Sequence, residues 1–326
     1  MTGSADVANA ADVSNAAEAA GYRPLLFSIA YGMTGSVGDA EDLVQDTFLN
    51  LTRAQQAGTT VTNLKAYLTT SVTRLGINHL SSARARRETY AGEWLPEPVV
   101  AFAERPGDAP AEHAELADCL SMAFLVMLEA LSPVERAVFL LREAFGYGYP
   151  EIAQLTGKSE ANCRQILTRA RKHLAACATE APTPPPAQRA QGDELARRFF
   201  EAAAGGDLDE LLRMLAPDVV LHGDGGGKAR AIGRPVTTSL PVAKLIAKAV
   251  HRITELGARL VPARVNGRPG VVAYDAEGRV LNVLALDFTE NGTVREIHAV
   301  ANPDKLGHLG PVSHHGLRTP RKPRTR

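Results

Sequence analysis

The chain has 326 residues, 45% of them hydrophobic, and its 36 basic side chains are matched by 36 acidic ones, so the net charge is zero. That length can carry two or three domains, each burying its own core. Three scattered cysteines (Cys119, Cys163, Cys177) argue against a disulfide framework and against a zinc site. No run is apolar enough to cross a bilayer, and no basic-then-apolar leader opens the chain. A soluble, cytoplasmic protein is expected, with no membrane partner, cofactor or metal.

In chain order, residues 1–20 are small and polar and read as a mobile tail. Residues 21–90 form a helical block. Leu25, Leu26, Ile29, Ala30 and Met33 keep the three-and-four spacing of one buried helix face, and Gly35, Ser36 and Gly38 interrupt it. Asp39 opens a second helix carrying Leu43, Val44, Thr47, Phe48 and Leu51, with Asp39, Glu41, Asp42 and Asp46 as an acidic face. A third helix runs from Asn63 through Tyr67, Val72, Leu75 and Leu80. Between Lys65 and Arg87 stand five basic residues (Lys65, Arg74, Arg84, Arg86, Arg87) and no acid.

The pattern is lost over 91–111, where Pro96, Pro98, Pro106 and Pro110 mark a linker around Trp94. Helices resume over 112–178. There, Glu151-Ile152-Ala153 opens a short helix, Thr156-Gly157-Lys158 supplies a turn, and Ser159 is placed to cap a second helix. Cys163, Ile166, Leu167, Ala170 and Leu174 make its buried stripe, which puts Cys163 in the core. The opposite face carries Arg164, Gln165, Thr168, Arg169, Arg171 and Lys172, long donors suited to phosphates and to base edges in a major groove. This is a helix-turn-helix, and it points to DNA.

Pro182-Thr183-Pro184-Pro185-Pro186 reads as a stiff spacer within 179–191. Residues 192–306 change character. Helices over 193–204 and 208–215 precede alternating strands over 219–222, 260–265, 270–274, 280–289 and 293–301, with Asn266-Gly267, Glu277-Gly278 and Asn291-Gly292 as turn signals. A basic tail, 307–326, closes the chain.

Leu131-Ser132-Pro133-Val134-Glu135-Arg136, followed by the helix-turn-helix, resembles region 4 of a bacterial sigma factor of the sigma-70 family. Tyr22 to Gly35, then Asp39-Ala40-Glu41-Asp42-Leu43-Val44-Gln45-Asp46-Thr47-Phe48, then Ala66-Tyr67-Leu68 and the helix through Arg74 and Asn78, resemble region 2. Two such modules without a middle domain resemble an extracytoplasmic-function sigma factor. Trp94-Leu95-Pro96-Glu97-Pro98, Asp224-Gly225-Gly226-Gly227-Lys228 and Asn302-Pro303-Asp304-Lys305-Leu306, in that order, resemble the subgroup with a fused SnoaL-like C-terminal domain, described as SigJ-like. The resemblance spans residues 20 to 310 or so.

It implies two all-α modules, a region 2 bundle and a region 4 helix-turn-helix, followed by an α+β SnoaL-like cone with a curved antiparallel sheet. It implies a factor that carries RNA polymerase core to promoter DNA. Asp39, Glu41, Asp42, Gln45, Asp46 and Phe48 would then grip the polymerase. Lys65, Tyr67, Arg74, Asn78, Arg84, Arg86 and Arg87 suit a melted strand, since cationic grooves with aromatic and amide groups hold single strands. In region 4, Asn162, Arg164 and Gln165 stand toward base edges and Arg169, Arg171 and Lys172 toward phosphate, with Ser159 and Thr168 completing the DNA-binding set.

The three glycines between Asp224 and Lys228 permit close backbone approach, and Trp94, just ahead of Pro96 and Pro98, is a rigid apolar knob. These features and the resemblance together predict an intramolecular regulatory contact between the C-terminal domain and the sigma modules, made by residues 94–98, 224–228 and 302–306. His222, Asp224, Asp287 and His298 lie on segments that could face a pocket in the cone. Nothing in their spacing sets a catalytic pair, so no enzyme is expected. A small-molecule ligand for the cone, a tethered cyclase or isomerase, and a polymerase-independent regulator remain as alternatives.

Overall fold

The computed structural model describes residues 18–87, 90–102, 120–175 and 186–314, with the side chains of 83–87, 175 and 186–189 excepted. Residues 1–17 and 315–326 of the two tails, spacer residues 182–185, Cys119 and Cys177 lie outside the described residues, as do the side chains of Arg84, Arg86 and Arg87. The start of the tail read from 307 is described and forms a 3-10 turn, Gly307–Leu309. The chain divides into two compact units, Met1–Arg84 with Met127–Ala178, and Ala85–Val126 with Thr179–Arg326. Residues 91–102, part of the stretch read as a linker, therefore belong to the C-terminal unit, as does Tyr90, read as the end of the helical block.

In the first unit α1 (Arg23–Thr34) has proline in its first turn and ends at Gly35, whose φ is 66°. Its Leu26, Ile29, Ala30 and Met33 are buried. α2 (Val37–Gln56) starts two residues before Asp39, because Ser36 accepts the Asp39 N–H and caps it. α3 (Leu64–Arg87) is capped by Asn63, which accepts the Ala66 N–H at 2.9 Å. A Cβ on Gly76 would stand 3.2 Å from Met33, so α3 lies close against α1.

α4 (Met122–Leu128) leads to α5 (Pro133–Phe139), whose first turn is a capping box between Ser132 and Glu135. A π-helical turn, Leu140–Ala144, follows it. α6 (Tyr149–Thr156) ends at Gly157 (φ 67°), and α7 (Glu160–Ala175) begins after Ser159, which accepts the Asn162 N–H at 3.2 Å. Cys163, Ile166, Leu167, Ala170 and Leu174 are all buried, as the helical spacing requires. Arg136, only 2% exposed, ties the first turn of α5 to the end of α1 by donating to the Met33 carbonyl at 2.6 Å.

The second unit is built on one seven-stranded sheet with two of its helices on one face. α8 (Pro186–Gly205) and α9 (Leu208–Met214) precede β2 (Leu215–Asp224), β3 (Val236–Thr237) and α10 (Ser239–Glu255). β4 (Arg259–Val265), β5 (Arg268–Tyr274), β6 (Val280–Phe288) and β7 (Val294–Val300) then form a meander. With β1 (Val100–Ala101), supplied by the linker, the strand order is β1-β4-β5-β6-β7-β2-β3. Asn266 and Gly267 both have positive φ, as a two-residue hairpin turn demands, and Val265 pairs Arg268 across them.

Three features differ from the sequence reading. The sheet is mixed, not wholly antiparallel, because β2 runs parallel to β7. Hairpin turns are local signals, whereas that pairing joins segments distant in the chain, and nothing local encodes its direction. Between His222 and Leu260 no element is read from sequence, yet α10 forms there and buries Val242, Ala243, Ile246 and Val250. The linker, read as patternless, contributes an edge strand whose partner is far away, with Val100 opposite Val265.

Strand alternation divides the sheet into two surfaces. Leu221, Leu284, Leu286 and Ile297 face α8 and α10. Val265, Val272, Val283, Ala285 and Val300 face the other way, where Leu95 and Leu306 cover them.

Candidate nucleic-acid interface and linker clamp

On α7 the stripe opposite the core is polar and open. Arg164, Gln165, Thr168, Arg169, Arg171 and Lys172 are exposed and Asn162 is half-buried. Some of these side chains are already positioned. Arg164 pairs with Glu160 at 3.2 Å and lies 4.7 Å over the Tyr149 ring. Arg142 takes a place 5.0 Å from the same ring, so Tyr149 holds two guanidiniums. Arg171 pairs with Glu143 at 2.7 Å, and Thr168 turns its hydroxyl back to the Arg164 carbonyl. Ser159 serves as the helix cap. Cys163 is buried, 3.8 Å from the Thr156 hydroxyl.

The other candidates of this unit are placed on α2 and α3. Asp42, Gln45 and Asp46 are exposed, while Phe48 is half-buried. Glu41 is engaged by Arg23, and Asp39 by His79 at 3.2 Å. Asn78 and Lys65 are exposed, with the Lys65 ammonium 6.0 Å from the Tyr147 ring. Tyr67 donates its hydroxyl to the Asn50 carbonyl at 3.2 Å. Arg74 donates to the Gln154 carbonyl of α6 at 3.4 Å, so a cation of α3 meets the first helix of the helix-turn-helix. Tyr149 and Gln154 carry no local sequence signal for these contacts.

In the second unit the three short motifs converge on one buried carboxylate. Asp224, fully buried at the end of β2, accepts from four donors. Tyr90 Oη lies 2.6 Å and Gly226 N 2.8 Å from Oδ1; Leu95 N lies 2.9 Å and Lys305 Nζ 2.7 Å from Oδ2. Lys305, 6% exposed, also donates to the Leu95 carbonyl and sits 4.1 Å from the Trp94 ring centroid. Asn302 donates to Tyr90 Oη at 2.7 Å. Burial, and after it the hydrogen bond to Asp224, raises the Tyr90 phenol above its usual range, so it stays a donor.

The glycine loop is shaped for this approach. Gly226 and Gly227 have φ of 58° and 72°, and Cβ atoms there would fall 2.3 Å from the Asn302 amide nitrogen and 2.9 Å from Ala91. Lys228 and Asp304 close the rim with an exposed ion pair at 2.6 Å. Leu95, completely buried, is the apolar anchor, while Trp94 is half-buried and covers the Lys305 ammonium. Pro96 and Pro98 are buried, and Glu97 is half-buried.

Asn266, legible from sequence only as a turn residue, also grips the linker, accepting from Val99 N at 3.1 Å and donating to the Leu120 carbonyl at 2.9 Å. His308 reaches the Pro98 carbonyl at 2.8 Å. A buried carboxylate with four donors and one buried cation is electrostatically complete. Removing either charge would strand the other.

Between α10 and the sheet lies a cavity of about 790 Å³. Leu221, Ile232, Leu245, Ile246 and Leu284 give it apolar walls, and Arg230, Lys248 and Arg252 stand at its edge. His222, Asp224, Asp287 and His298 do not line it, so the expectation that they could face a pocket is corrected. Register decides this: His222 is paired with His298, and Asp287 with Glu296, on the opposite surface from Leu221 and Leu284. Asp287 is buried beside Arg268, whose Nε is 3.0 Å away. Burial raises its carboxyl to about 6, with Arg268 opposing.

Residues 19–86 match the sigma-70 region 2 family, residues 121–174 match sigma-70 region 4, and residues 196–301 match a SnoaL-like domain. The chain is 38% identical over 295 residues to the ECF RNA polymerase sigma factor SigJ of Mycobacterium tuberculosis H37Rv, a match covering 87% of this chain and 90% of that protein. It is 33% identical to the probable ECF RNA polymerase sigma factor SigI of the CDC 1551 strain, covering 88% and 93%. The crystal structure of Mycobacterium tuberculosis SigJ matches with a TM-score of 0.70 at 34% identity, over 90% of this chain and 98% of that one. The chain belongs to the extracytoplasmic-function RNA polymerase sigma factors. Its function is promoter-directed initiation of transcription, with RNA polymerase core and promoter DNA as partners. No helix among the described residues is long and apolar enough to cross a membrane.

Proposed function

We propose that the C-terminal unit governs this sigma factor in cis by holding the segment that joins its two DNA-contacting modules. The observation that carries the reading is a double capture. Asp224 holds the linker at Leu95, and Asn266 holds it at Val99 and Leu120, so both ends of the segment are fixed on one domain. Two modules that engage separate promoter elements need a matching separation, and a domain that grips their connection sets it. The closed state withholds the modules from promoter, and the open state lets them seat with polymerase. In that open state α7 reads duplex through Asn162, Arg164 and Gln165, the basic face of α3 follows the melted strand, and the acidic face of α2 meets the polymerase. Arg74, engaged on Gln154, is among the groups that opening frees.

The same reading makes the C-terminal unit a regulator and not an enzyme, and places the factor in the cytoplasm. Asp224 is consumed by its four donors, and the His222–His298 surface faces away from the cavity. The cavity is suited to a regulatory ligand with an apolar body and an anionic group. Gly223 and Ala301 line it, while their neighbours Asp224 and Asn302 grip the linker on the other face. Occupancy on one side of these two backbone positions therefore acts on the other.

Run-off transcription with core polymerase, comparing the full chain with a truncation after Thr179 and with Asp224→Ala, is the test. Release should change promoter output severalfold in both variants. Identical output from all three proteins would overturn control in cis.

A further inference from the structure

The linker-bearing surface of the sheet contains a group of buried titratable side chains that the clamp does not use. His222 on β2 and His298 on β7 face each other across the parallel ladder, with rings stacked at a centroid distance of 4.9 Å. Glu296, two positions earlier on β7, brings its carboxylate to 3.5 Å from His298 Nε2, and Asp287 on β6 lies 3.7 Å from Nδ1. The His298 side chain is fully buried, and neither ring nitrogen has a hydrogen-bond partner among the described residues. A buried polar atom left unpaired costs about 1 to 3 kcal/mol, so a ring with two such atoms calls for a missing partner.

We propose that His222, Glu296 and His298 bind a divalent transition-metal ion, with Zn²⁺ the best fit to the ligand set. One ligand atom from each of the three lies within 4.8 Å of the others. Zinc binds imidazole nitrogen and carboxylate oxygen at about 2.0 to 2.2 Å, so binding requires the two stacked rings to turn out of their parallel arrangement and converge with the carboxylate, with water in the fourth position. Two imidazoles exclude Mg²⁺ and Ca²⁺, which prefer oxygen.

The surroundings suit a cation. Glu93 hydrogen-bonds His222 Nδ1 at 2.6 Å, leaving Nε2 to ligate, and a carboxylate behind a histidine is a recurrent support for metal-bound rings. Three carboxylates, Glu93, Asp287 and Glu296, stand against two guanidiniums, Arg268 and Arg295. Because Glu93 belongs to the linker, the bound ion would fasten linker to sheet at a point separate from Asp224. The site stands on its own geometry, whether or not the linker governs promoter access.

The test is titration of the untagged, chelator-stripped full-length chain with Co²⁺, followed by its visible absorption, and displacement by Zn²⁺. One Co²⁺ per chain should bind, be released by equimolar Zn²⁺ and be unaffected by Mg²⁺. Glu296→Gln, on a partly exposed side chain, and His298→Gln should each weaken binding at least tenfold, and Glu93→Gln by about tenfold through the lost support of His222. Circular dichroism of each variant separates misfolding from ligand loss, and Glu296→Gln carries the test if His298→Gln does not fold. Absence of a Co²⁺ band, or binding by folded Glu296→Gln as tight as that of the parent chain, would overturn the site.

Discussion

Arg164, Gln165, Arg169 and Lys172 on the recognition helix stand in solvent, and the contacts of Arg164 are an exposed carboxylate and one ring. Asp224 and Lys305 in the clamp are buried and satisfied by each other and by the linker backbone. The first arrangement keeps charge ready for an external partner at small internal cost, because exposed ion pairs contribute little. The second commits charge to an internal partner, because a buried charge without its counterpart is strongly unfavourable. One region is thus built to bind DNA, and the other to hold its own chain.

The comparison is tested most severely at Asp224. Asp224→Ala leaves Lys305 buried without an anion and should cost the C-terminal unit about 3 to 5 kcal/mol in denaturant unfolding. Trp94, the single tryptophan, should report linker release as a red shift in emission. Adding Lys305→Met should recover part of the loss, and if the double variant is no more stable than Asp224→Ala, the ion pair is not the clamp's centre.

Gly226→Ala places a methyl against Asn302 at a positive φ, so a smaller destabilisation of about 1 to 3 kcal/mol is expected in the same assay. On the recognition helix, Arg164→Ala should cost about 1 to 3 kcal/mol of discrimination between cognate and altered minus-thirty-five elements. Lys172→Ala should instead weaken all sequences evenly and lower the salt slope by about 1. Equal losses on every promoter from both changes would remove the distinction drawn along α7.

The smallest effect concerns pH. Burial alone would raise the Asp275 carboxyl, but hydrogen bonds from Ser313 and from the Arg279 backbone and side chain outweigh it and hold it well below the usual range. A depressed carboxyl stabilises fully above its unfolded value of about 4 and loses that contribution as pH falls toward the folded value. Melting of the C-terminal unit should therefore drop between about pH 5 and 2, and Asp275→Asn should flatten the drop.

Much of the first unit was legible because its signals are local. Helical spacing placed Cys163, Ile166 and Leu167 inside and the cations outside, and Gly157 with Ser159 marked the turn and the cap. Arg74 escaped such reading, since its contact with Gln154 joins two helices far apart in the chain. In the second unit the hairpin at Asn266-Gly267 was readable, but its grip on Val99 and Leu120 was not. The helix α10 was missed even though Val242, Ile246 and Val250 carry its spacing. His222 and His298 could be named as titratable candidates, but not given a face, because one step of strand register exchanges the two surfaces.

Sequence alone determined the helices of the sigma modules, the face that α7 turns outward and the hairpin turns, each fixed by residues within a few positions of one another. Tertiary structure decided that β2 lies parallel to β7, that the linker becomes an edge strand, and that Asp224 takes its four donors from Tyr90, Leu95, Gly226 and Lys305. The reason is physical: periodicity encodes which side of an element is buried, but pairing direction, register and the partners of a buried charge depend on which distant segments meet.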